Sequence, residues 1–212
     1  MAEIRGVICD FGGVLTTPLM DAFLNFQDEI GVTVEDFGEA MRALADEDGD
    51  IPLYKLERGE ITETEFSDQV ADGLEPVLGH RPEIHRFSEV MFAGLKPNQP
   101  MIALMEELKG SGRRMAMLTN NVKEWEPRWR PMLPVDEIFE TVVDSAFVDM
   151  RKPDHAIYEL TVERLDGIAA EECLFIDDTE INCDAARELG IVPVHFRDND
   201  QAIPEIRSAL GE

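Results

Sequence analysis

The sequence predicts an α/β fold whose core is an open parallel sheet and whose first strand is followed by an inserted all-helical cap. Two observations support this prediction. In the second half of the chain, short apolar runs rich in β-branched residues alternate with amphipathic helical patterns, as in parallel βαβ units. Between the first apolar run and the second, only helical patterns occur. With 212 residues, 44% of them hydrophobic and 30% charged, the chain is long enough to bury such a core.

Five segments predict the strands of the sheet, because each is short, apolar and bounded by turn or helix signals. They are residues 4–10, 114–119, 140–145, 172–177 and 191–196. Helices between the later strands are predicted to end at glycines, over residues 98–110, 153–167 and 180–190. Since strands and helices alternate, the strands should run parallel with helices on both faces, as in a Rossmann-like sheet.

The interval after the first strand is too long for an ordinary connection between a strand and a helix, which has ~2–6 residues. It shows helical patterns at residues 19–30, 34–46, 62–73 and 82–93. We therefore predict a core domain of residues 1–15 and 96–212 and a helical cap domain of residues 16–95. The cap contains 19 acidic and 5 basic residues, so it carries more than half of the net charge.

Charge and composition also bear on partners and location. The formal net charge of −26 should repel nucleic acid and anionic membranes, which proteins bind through lysine and arginine clusters. No apolar run approaches the ~20 residues of a membrane-spanning helix, and the N-terminal run is too short for a signal peptide. The three cysteines form no C-x-x-C pair, which is typical of free thiols in a reducing compartment. We expect a cytoplasmic monomer or homodimer without nucleic-acid or membrane partners.

Polar side chains follow four of the predicted strands, and in open α/β sheets ligands bind beyond these carboxyl ends. The residues are Asp10, Thr119 with Asn120, Lys152, and Asp177 with Asp178. The acids, Thr119 and Asn120 could each simply cap a helix. Lys152 is harder to explain in that way, because a lysine at the start of a helix faces the positive end of the helix dipole. Its position indicates an anion nearby.

The segments that carry these residues resemble the four motifs of the haloacid dehalogenase (HAD) superfamily. They are "ICDFGGVL", "MLTNN", "RKPDHAIY" and "FIDDTEINCDAARELG". The resemblance spans the whole chain and is nearest to phosphatases with a helical C1-type cap, namely the N-terminal phosphatase domain of epoxide hydrolases and the bacterial glucose-1-phosphate phosphatases. The cap segment "ERGEITETEF" also looks like that subgroup.

This resemblance implies a Mg²⁺-dependent phosphomonoester hydrolase acting on a small monophosphate, for example a sugar phosphate. Asp10 would be the nucleophile that forms an aspartyl-phosphate. Mg²⁺ would be bound by the Asp10 and Asp178 carboxylates and the backbone carbonyl of Gly12. The remaining roles would be phosphate binding by Thr119, Asn120 and the backbone N–H groups of Phe11 and Gly12, charge neutralisation by Lys152, and support of the metal side by Asp177 and Asn182.

Gly12 departs from the pattern of the family. In much of the family the residue two after the nucleophile is an acid that protonates the leaving group, a contribution of typically ~10²–10⁴-fold. A phosphatase that replaces this acid by other means is one interpretation. The alternatives are a 2-haloacid dehalogenase, a catalytically weak binding module, and a C–P bond hydrolase that uses Lys55. A dehalogenase would leave the Asp177–Asp178 pair without a cation.

The segment 120–133 contains both tryptophans, Trp125 and Trp129, together with Lys123, Arg128 and Arg130. It could form one wall of the substrate pocket. It could equally be a helix that packs against the cap and leaves its basic side chains in solvent.

Overall fold

The computed structural model describes residues 2–19, 31–84 and 87–212. Its five strands form one parallel sheet in the order β3–β2–β1–β4–β5. The strands are β1 (Gly6–Cys9), β2 (Arg114–Thr119), β3 (Thr141–Asp144), β4 (Cys173–Asp177) and β5 (Val192–His195). Each lies inside a predicted strand segment, and the predicted α/β class is confirmed.

The helices follow in chain order. They are α1 (Val34–Asp48), α2 (Pro52–Glu57), α3 (Glu63–Leu78), α4 (Phe87–Gly94), α5 (Gln99–Gly110), α6 (Glu126–Trp129), α7 (Val135–Ile138), α8 (Ser145–Val148), α9 (His155–Arg164), α10 (Glu180–Glu188) and α11 (Asn199–Ala209). Most of the helix predicted at 19–30 lies outside the described residues, as do residues 85–86 of the one predicted at 82–93. The periodicity predicted none of α2, α7, α8 and α11. The first three have at most six residues, too few to show a helical period, and α11 contains Pro204.

The register of the central strand places the predicted site residues on one edge of the sheet. Cys9 of β1 pairs with Met117 on one side and with Ile176 on the other. The residues that follow, Asp10 and Asp177 among them, therefore emerge together at the carboxyl edge. The strand order reverses beside β1, and this switch point is where such sheets open a crevice for ligands.

Apolar clusters cover both faces of the sheet, because alternate residues of a strand point to opposite sides. Val7 and Cys9 pack in one cluster with side chains of α5 and α11. Ile8 packs in another with side chains of α9 and α10. The central strand is buried on both faces, which is the reason that its sequence is a continuous apolar run rather than an alternating one.

Helices α1 to α4 pack around an apolar cluster of their own that includes Phe66, Leu74 and Leu56. Thr33 and Thr62 begin α1 and α3 with reciprocal capping boxes, closed by Asp36 and Glu65. Val122 joins this cluster, so the segment 120–133 does pack against the helical region. The boundaries of the predicted cap, 16–95, stay a prediction.

Two neighbouring chain crossings join the helical region to the core. Thr16 forms an isolated β-bridge with Pro97, and the Thr17 N–H donates to the Lys96 carbonyl at 2.8 Å. The Asn98 N–H donates to the Leu15 carbonyl at 2.8 Å. Within the described ranges, none of the helices has the length and apolar character needed to span a bilayer. The three cysteines are buried and unpaired.

Asp144, at the end of β3, gives a prediction about stability. Its Oδ1 accepts from the Ala146 N–H at 3.1 Å, whereas its Oδ2 is buried without a hydrogen-bond partner among the described residues. Burial raises the pKa of Asp144 to about 7, above the ~3.9 of an unfolded chain. The folded state therefore binds this proton more tightly, and its stability should fall as pH rises from about 4 to about 8.

Asp144→Asn removes this titration and keeps the capping oxygen. From pH 4.5 to pH 8, the unfolding free energy of the variant, measured in urea, should rise by about 2–4 kcal/mol relative to that of the wild type. Parallel pH profiles for the variant and the wild type would contradict this prediction.

Candidate active site

Lys152 is the centre of the buried charges at the carboxyl edge of the sheet. Its Nζ donates to Asp177 Oδ2 at 2.6 Å and to the Leu118 carbonyl at 3.1 Å, and it lies 2.8 Å from Asp10 Oδ1. The residue is 1% exposed, and these three acceptors match the three donors of an ammonium group. The position of Lys152 in the sequence indicated a nearby anion. In the structure, the carboxylates of Asp10 and Asp177 are the anions beside it.

The pKa values in the site reflect crowding of negative charge. Burial raises the pKa of Asp10 to about 7; Lys152 opposes this shift, and Asp177 and Asp178 add to it. Burial, together with Asp177, also raises the pKa of Asp178. Burial alone would lower the pKa of Lys152, but Asp10 and Asp177 outweigh it, and the pKa is raised. Three acids around one lysine leave an excess of negative charge, which favours a further cation.

The three acids fit a divalent metal ion. Carboxylate oxygens of Asp10, Asp177 and Asp178 all lie within 4.8 Å of one another. Asp177 is already occupied, because its Oδ1 accepts from the Thr179 N–H at 2.8 Å and from Asn182 Nδ2 at 3.0 Å. Asp10 and Asp178 are therefore the two carboxylates that could hold a metal ion, with hard oxygen donors of the kind that Mg²⁺ prefers.

Gly13 creates the space for the Asp178 carboxylate. A Cβ at this position would lie 2.0 Å from Asp178 Oδ2, and the residue has a φ of +76°. Any side chain here would displace the carboxylate and strain the backbone. Gly13 thus leaves the Asp178 carboxylate the space that it occupies at the candidate metal site.

Two predicted site residues support other groups through their side chains. The Asn120 amide forms two hydrogen bonds with the backbone of Lys152, donating to its carbonyl at 3.0 Å and accepting from its N–H at 2.8 Å. Asn182 holds Asp177, as described above, and its carbonyl accepts from the Tyr158 hydroxyl at 3.0 Å. Thr119 is buried at the end of β2 and lines the same cavity as Asp10.

Leu19 lies over Gly12, the position where the family pattern has an acid. A Cβ on Gly12 would come within 2.9 Å of Leu19 Cδ1. An apolar side chain thus occupies the space into which a side chain at position 12 would project.

A cavity of about 510 Å³ opens between the core and the helical region, above Asp10 and Lys152. Most of its lining is apolar. Apart from the site residues, it is lined by the apolar side chains of Phe11, Leu19, Met91, Phe92, Leu95, Trp125, Pro153 and Ile181, and by Tyr54, Glu57, Asn121, Arg151 and Thr179. The sequence analysis gave no role to Tyr54, Glu57 or Arg151. The available signals were that Arg151 begins the motif "RKPDHAIY", that Glu57 begins "ERGEITETEF", and that Tyr54 precedes Lys55.

Other residues considered from the sequence lie elsewhere. Lys55 pairs with Asp48 at 3.2 Å and is not part of the cavity lining described, so nothing supports the C–P bond hydrolase. Trp129 is buried against Phe11, with ring centroids 5.2 Å apart. Arg130 pairs with Glu126 and Asp136. Of the two tryptophans, Trp125 lines the cavity.

Comparison with known proteins identifies the family. Residues 4–190 match the family model described as haloacid dehalogenase-like hydrolase. The chain belongs to this family. It is 30% identical over 209 residues to the sesquiterpene phosphatase astK of Aspergillus oryzae, covering 98% of this chain and 97% of that protein. The predictions of the family and of a hydrolase are confirmed.

Two further comparisons, with a curated protein and with a solved structure, show what this HAD hydrolase is similar to. It is 26% identical over 219 residues to bifunctional epoxide hydrolase 2 of Rattus norvegicus, covering 98% of this chain but only 39% of that larger protein. A crystal structure of a HAD family enzyme from Bacteroides thetaiotaomicron is 25% identical and superposes with a TM-score of 0.70, covering 97% of this chain and 100% of that one.

Proposed function

We propose that this HAD hydrolase is a Mg²⁺-dependent phosphomonoesterase that works through an aspartyl-phosphate on Asp10. The observation that carries the proposal is the pairing of the Asp10 carboxylate with the buried Lys152 ammonium, 2.8 Å away, beside a second carboxylate, Asp178, that has room for a cation. The name of the 30% identical relative, a phosphatase, supports the same reaction class.

In the proposed reaction, one Asp10 oxygen attacks phosphorus, the ester P–O bond breaks, and the leaving oxygen takes a proton. Water then attacks the aspartyl-phosphate and releases inorganic phosphate and free Asp10. Lys152 holds Asp10 in place and offsets the negative charge on the phosphoryl group. Thr119 and the backbone N–H groups of Phe11 and Gly12 bind phosphoryl oxygens. Mg²⁺, held by Asp10, Asp178 and the Gly12 carbonyl, would neutralise charge as a Lewis acid.

The leaving oxygen takes its proton from water in this proposal. Leu19 covers Gly12, so the nearby wall is apolar. Among the described residues that line the cavity, the remaining carboxyl outside the metal site is Glu57, which is bound to Arg151. Esters of acidic alcohols should therefore react faster than simple alkyl esters.

The cavity favours a substrate with an apolar body. Its apolar lining exceeds what a sugar needs, because sugar hydroxyls require many polar partners. The relative from Aspergillus oryzae is named a sesquiterpene phosphatase, and sesquiterpenes are hydrocarbons, which are apolar like the lining of the cavity. We therefore prefer a monophosphate of an apolar alcohol to the sugar phosphate suggested by the sequence. The cytoplasmic location and the monomeric or dimeric state stay predictions.

The test is hydrolysis of p-nitrophenyl phosphate, decyl phosphate and glucose 6-phosphate, each with Mg²⁺ and with EDTA. Chelation should lower every rate by more than about 100-fold, and added Mg²⁺ should restore it, because the metal site neutralises charge at the reacting phosphoryl group. Decyl phosphate should exceed glucose 6-phosphate in kcat/KM by at least about 10-fold, since both are esters of primary alcohols and differ mainly in the polarity of the body.

Several outcomes would contradict the proposal. Absence of hydrolysis for all three esters with Mg²⁺ present would exclude a phosphatase, and 2-haloacids would then be the next substrates, as the dehalogenase alternative requires. Rates unaffected by EDTA would exclude the metal. A preference for glucose 6-phosphate would exclude the apolar body and leave the phosphatase proposal standing.

A further inference from the structure

Helix α2 contacts the core at a second junction, separate from the chain crossings at Thr16 and Pro97. Ser145 Oγ donates to the Glu57 carbonyl at 2.5 Å. Gly59, in the turn after α2, has a φ of +67°, and a Cβ there would lie 2.5 Å from the carbonyl oxygen of Ala146. The helical region and the core thus approach each other at backbone distance, beside the cavity.

Arg151 is held rigidly at this junction by two groups of α2. Its Nε donates to Glu57 Oε2 at 2.7 Å, and its Cζ lies 3.7 Å from the centroid of the Tyr54 ring. The ion pair fixes the direction of the guanidinium and the ring fixes its plane, so little conformational freedom is left. The side chains of Arg151 and Glu57 are 14% and 16% exposed.

The guanidinium keeps donors from which no described residue accepts a hydrogen bond. Arginine has five N–H donors, and within the described part of the chain the hydrogen bonds of Arg151 involve Nε alone. Arg151 lines the cavity and directly precedes Lys152, which touches Asp10. Arg151 therefore offers these donors from the wall of the cavity that Asp10 also lines.

The charge of Arg151 is already balanced. Glu57 compensates it within hydrogen-bonding distance, so the pair is nearly neutral as seen from the cavity. A second anion on the substrate would meet the Glu57 carboxylate as well as the guanidinium. A neutral oxygen needs only hydrogen-bond donors, so it fits beside the Arg151–Glu57 pair better than a second anion does.

We propose that Arg151 is a specificity-determining residue whose Nη groups donate to a neutral oxygen on the body of the phosphomonoester bound at Asp10. The oxygen is that of a hydroxyl, ether or carbonyl group on an otherwise apolar body. Glu57 is a positioning residue that acts through Arg151. The proposal rests on the phosphatase function proposed above, and it adds one polar feature to the substrate.

The test uses heptyl phosphate and a series of its analogues in which one methylene, at successive positions, is replaced by an ether oxygen. Wild-type enzyme should prefer at least one ether analogue to heptyl phosphate. Arg151→Met should lower kcat/KM for that analogue by about 10- to 100-fold, mainly through KM, because a hydrogen bond to a charged donor is lost. Heptyl phosphate and p-nitrophenyl phosphate should change by less than about 3-fold.

Further variants separate a binding role from a structural one. Arg151→Lys should not restore the preference, since it lacks the planar fork. Glu57→Gln should unbalance the guanidinium and raise the relative rate for a heptyl phosphate that ends in a carboxylate, which a loosened fold would not do. Arg207→Met, which removes an exposed arginine paired with Glu107 on the surface, is the matched control and should change none of these ratios.

The outcomes separate the two proposals. If wild type hydrolyses p-nitrophenyl phosphate but no ether analogue is preferred, or if Arg151→Met lowers every ester equally, the role of Arg151 is refuted and the phosphatase stands. If wild type hydrolyses none of the esters with Mg²⁺, the phosphatase itself is refuted.

Discussion

Asp10→Asn should lower phosphomonoester hydrolysis by more than about 10⁴-fold and leave the fold intact. An amide cannot attack phosphorus to form the acyl-phosphate bond, and Asn has nearly the size of Asp. Lys152 keeps its contacts with Asp177 and the Leu118 carbonyl, so no buried charge loses its last partner. The rate with p-nitrophenyl phosphate and saturating Mg²⁺ measures the first effect, and thermal unfolding measures the second.

The covalent intermediate gives a more direct readout of the same prediction. Wild-type enzyme quenched in acid during turnover of a ³²P-labelled ester should carry label that neutral hydroxylamine removes, as expected for an acyl phosphate. Asp10→Asn should carry none. Asp184→Asn is the control, because Asp184 is an exposed acid paired with Arg187 on α10. Label retained in the Asp10 variant, or a rate within 100-fold of wild type, would place the nucleophile elsewhere.

The parts of this architecture that sequence predicts are those determined locally. A strand that is buried on both faces, such as β1, must be a continuous apolar run, and its end is marked by the acid that follows it, Asp10. The regular order of strands and helices then brings Asp177 to the same edge, because parallel strands end together. The fold and the group of predicted site residues therefore follow from the linear pattern alone.

Pairings across the chain are not predicted in this way. Nothing local in "PLYKLE" shows that its last residue, Glu57, bonds to Arg151, which lies 94 residues further along. The position of Leu19 over Gly12 is likewise a tertiary contact. The cavity is formed by such contacts, so the apolar character of the proposed substrate emerged only from the structure, whereas the reaction class was already indicated by the sequence.

The different positions of two adjacent acids show the same limit. Asp177 and Asp178 are adjacent acids that the residue pattern alone does not distinguish, and the assignment of the metal to Asp178 came from the family resemblance. In the structure, Asp177 is fully buried and bound by Lys152, Asn182 and the Thr179 N–H. Asp178 lies against Gly13, and its Oδ1 accepts from the Thr179 hydroxyl at 3.2 Å. Successive side chains of a strand point to opposite sides, and this alternation decides which of the two acids points into the cavity.

Lys152→Met should cost about 3–5 kcal/mol of unfolding free energy, in addition to its effect on activity, because it removes the cation from a buried cluster of acids. Met fills a similar volume but cannot donate. The Asp10 and Asp177 carboxylates would then face each other without compensation, and the Leu118 carbonyl would lose a donor. Urea unfolding in EDTA, which prevents a metal from replacing the lost charge, gives the measurement.

A series of combined variants separates this charge effect from loss of packing. Lys152→Met/Asp177→Asn removes the cation and one of its two anions, so the variant should recover at least about half of the loss caused by Lys152→Met alone. Adding Asp10→Asn as a third change should recover more, because no charge of the original three would remain. If the double variant is as unstable as Lys152→Met, or less stable, the loss arises from packing, and Lys152 is then not the electrostatic centre of the site. Recovery in the order single, double, triple would show that Lys152 is needed because the site brings two carboxylates together in a buried place, which is the arrangement that the proposed phosphoryl transfer requires.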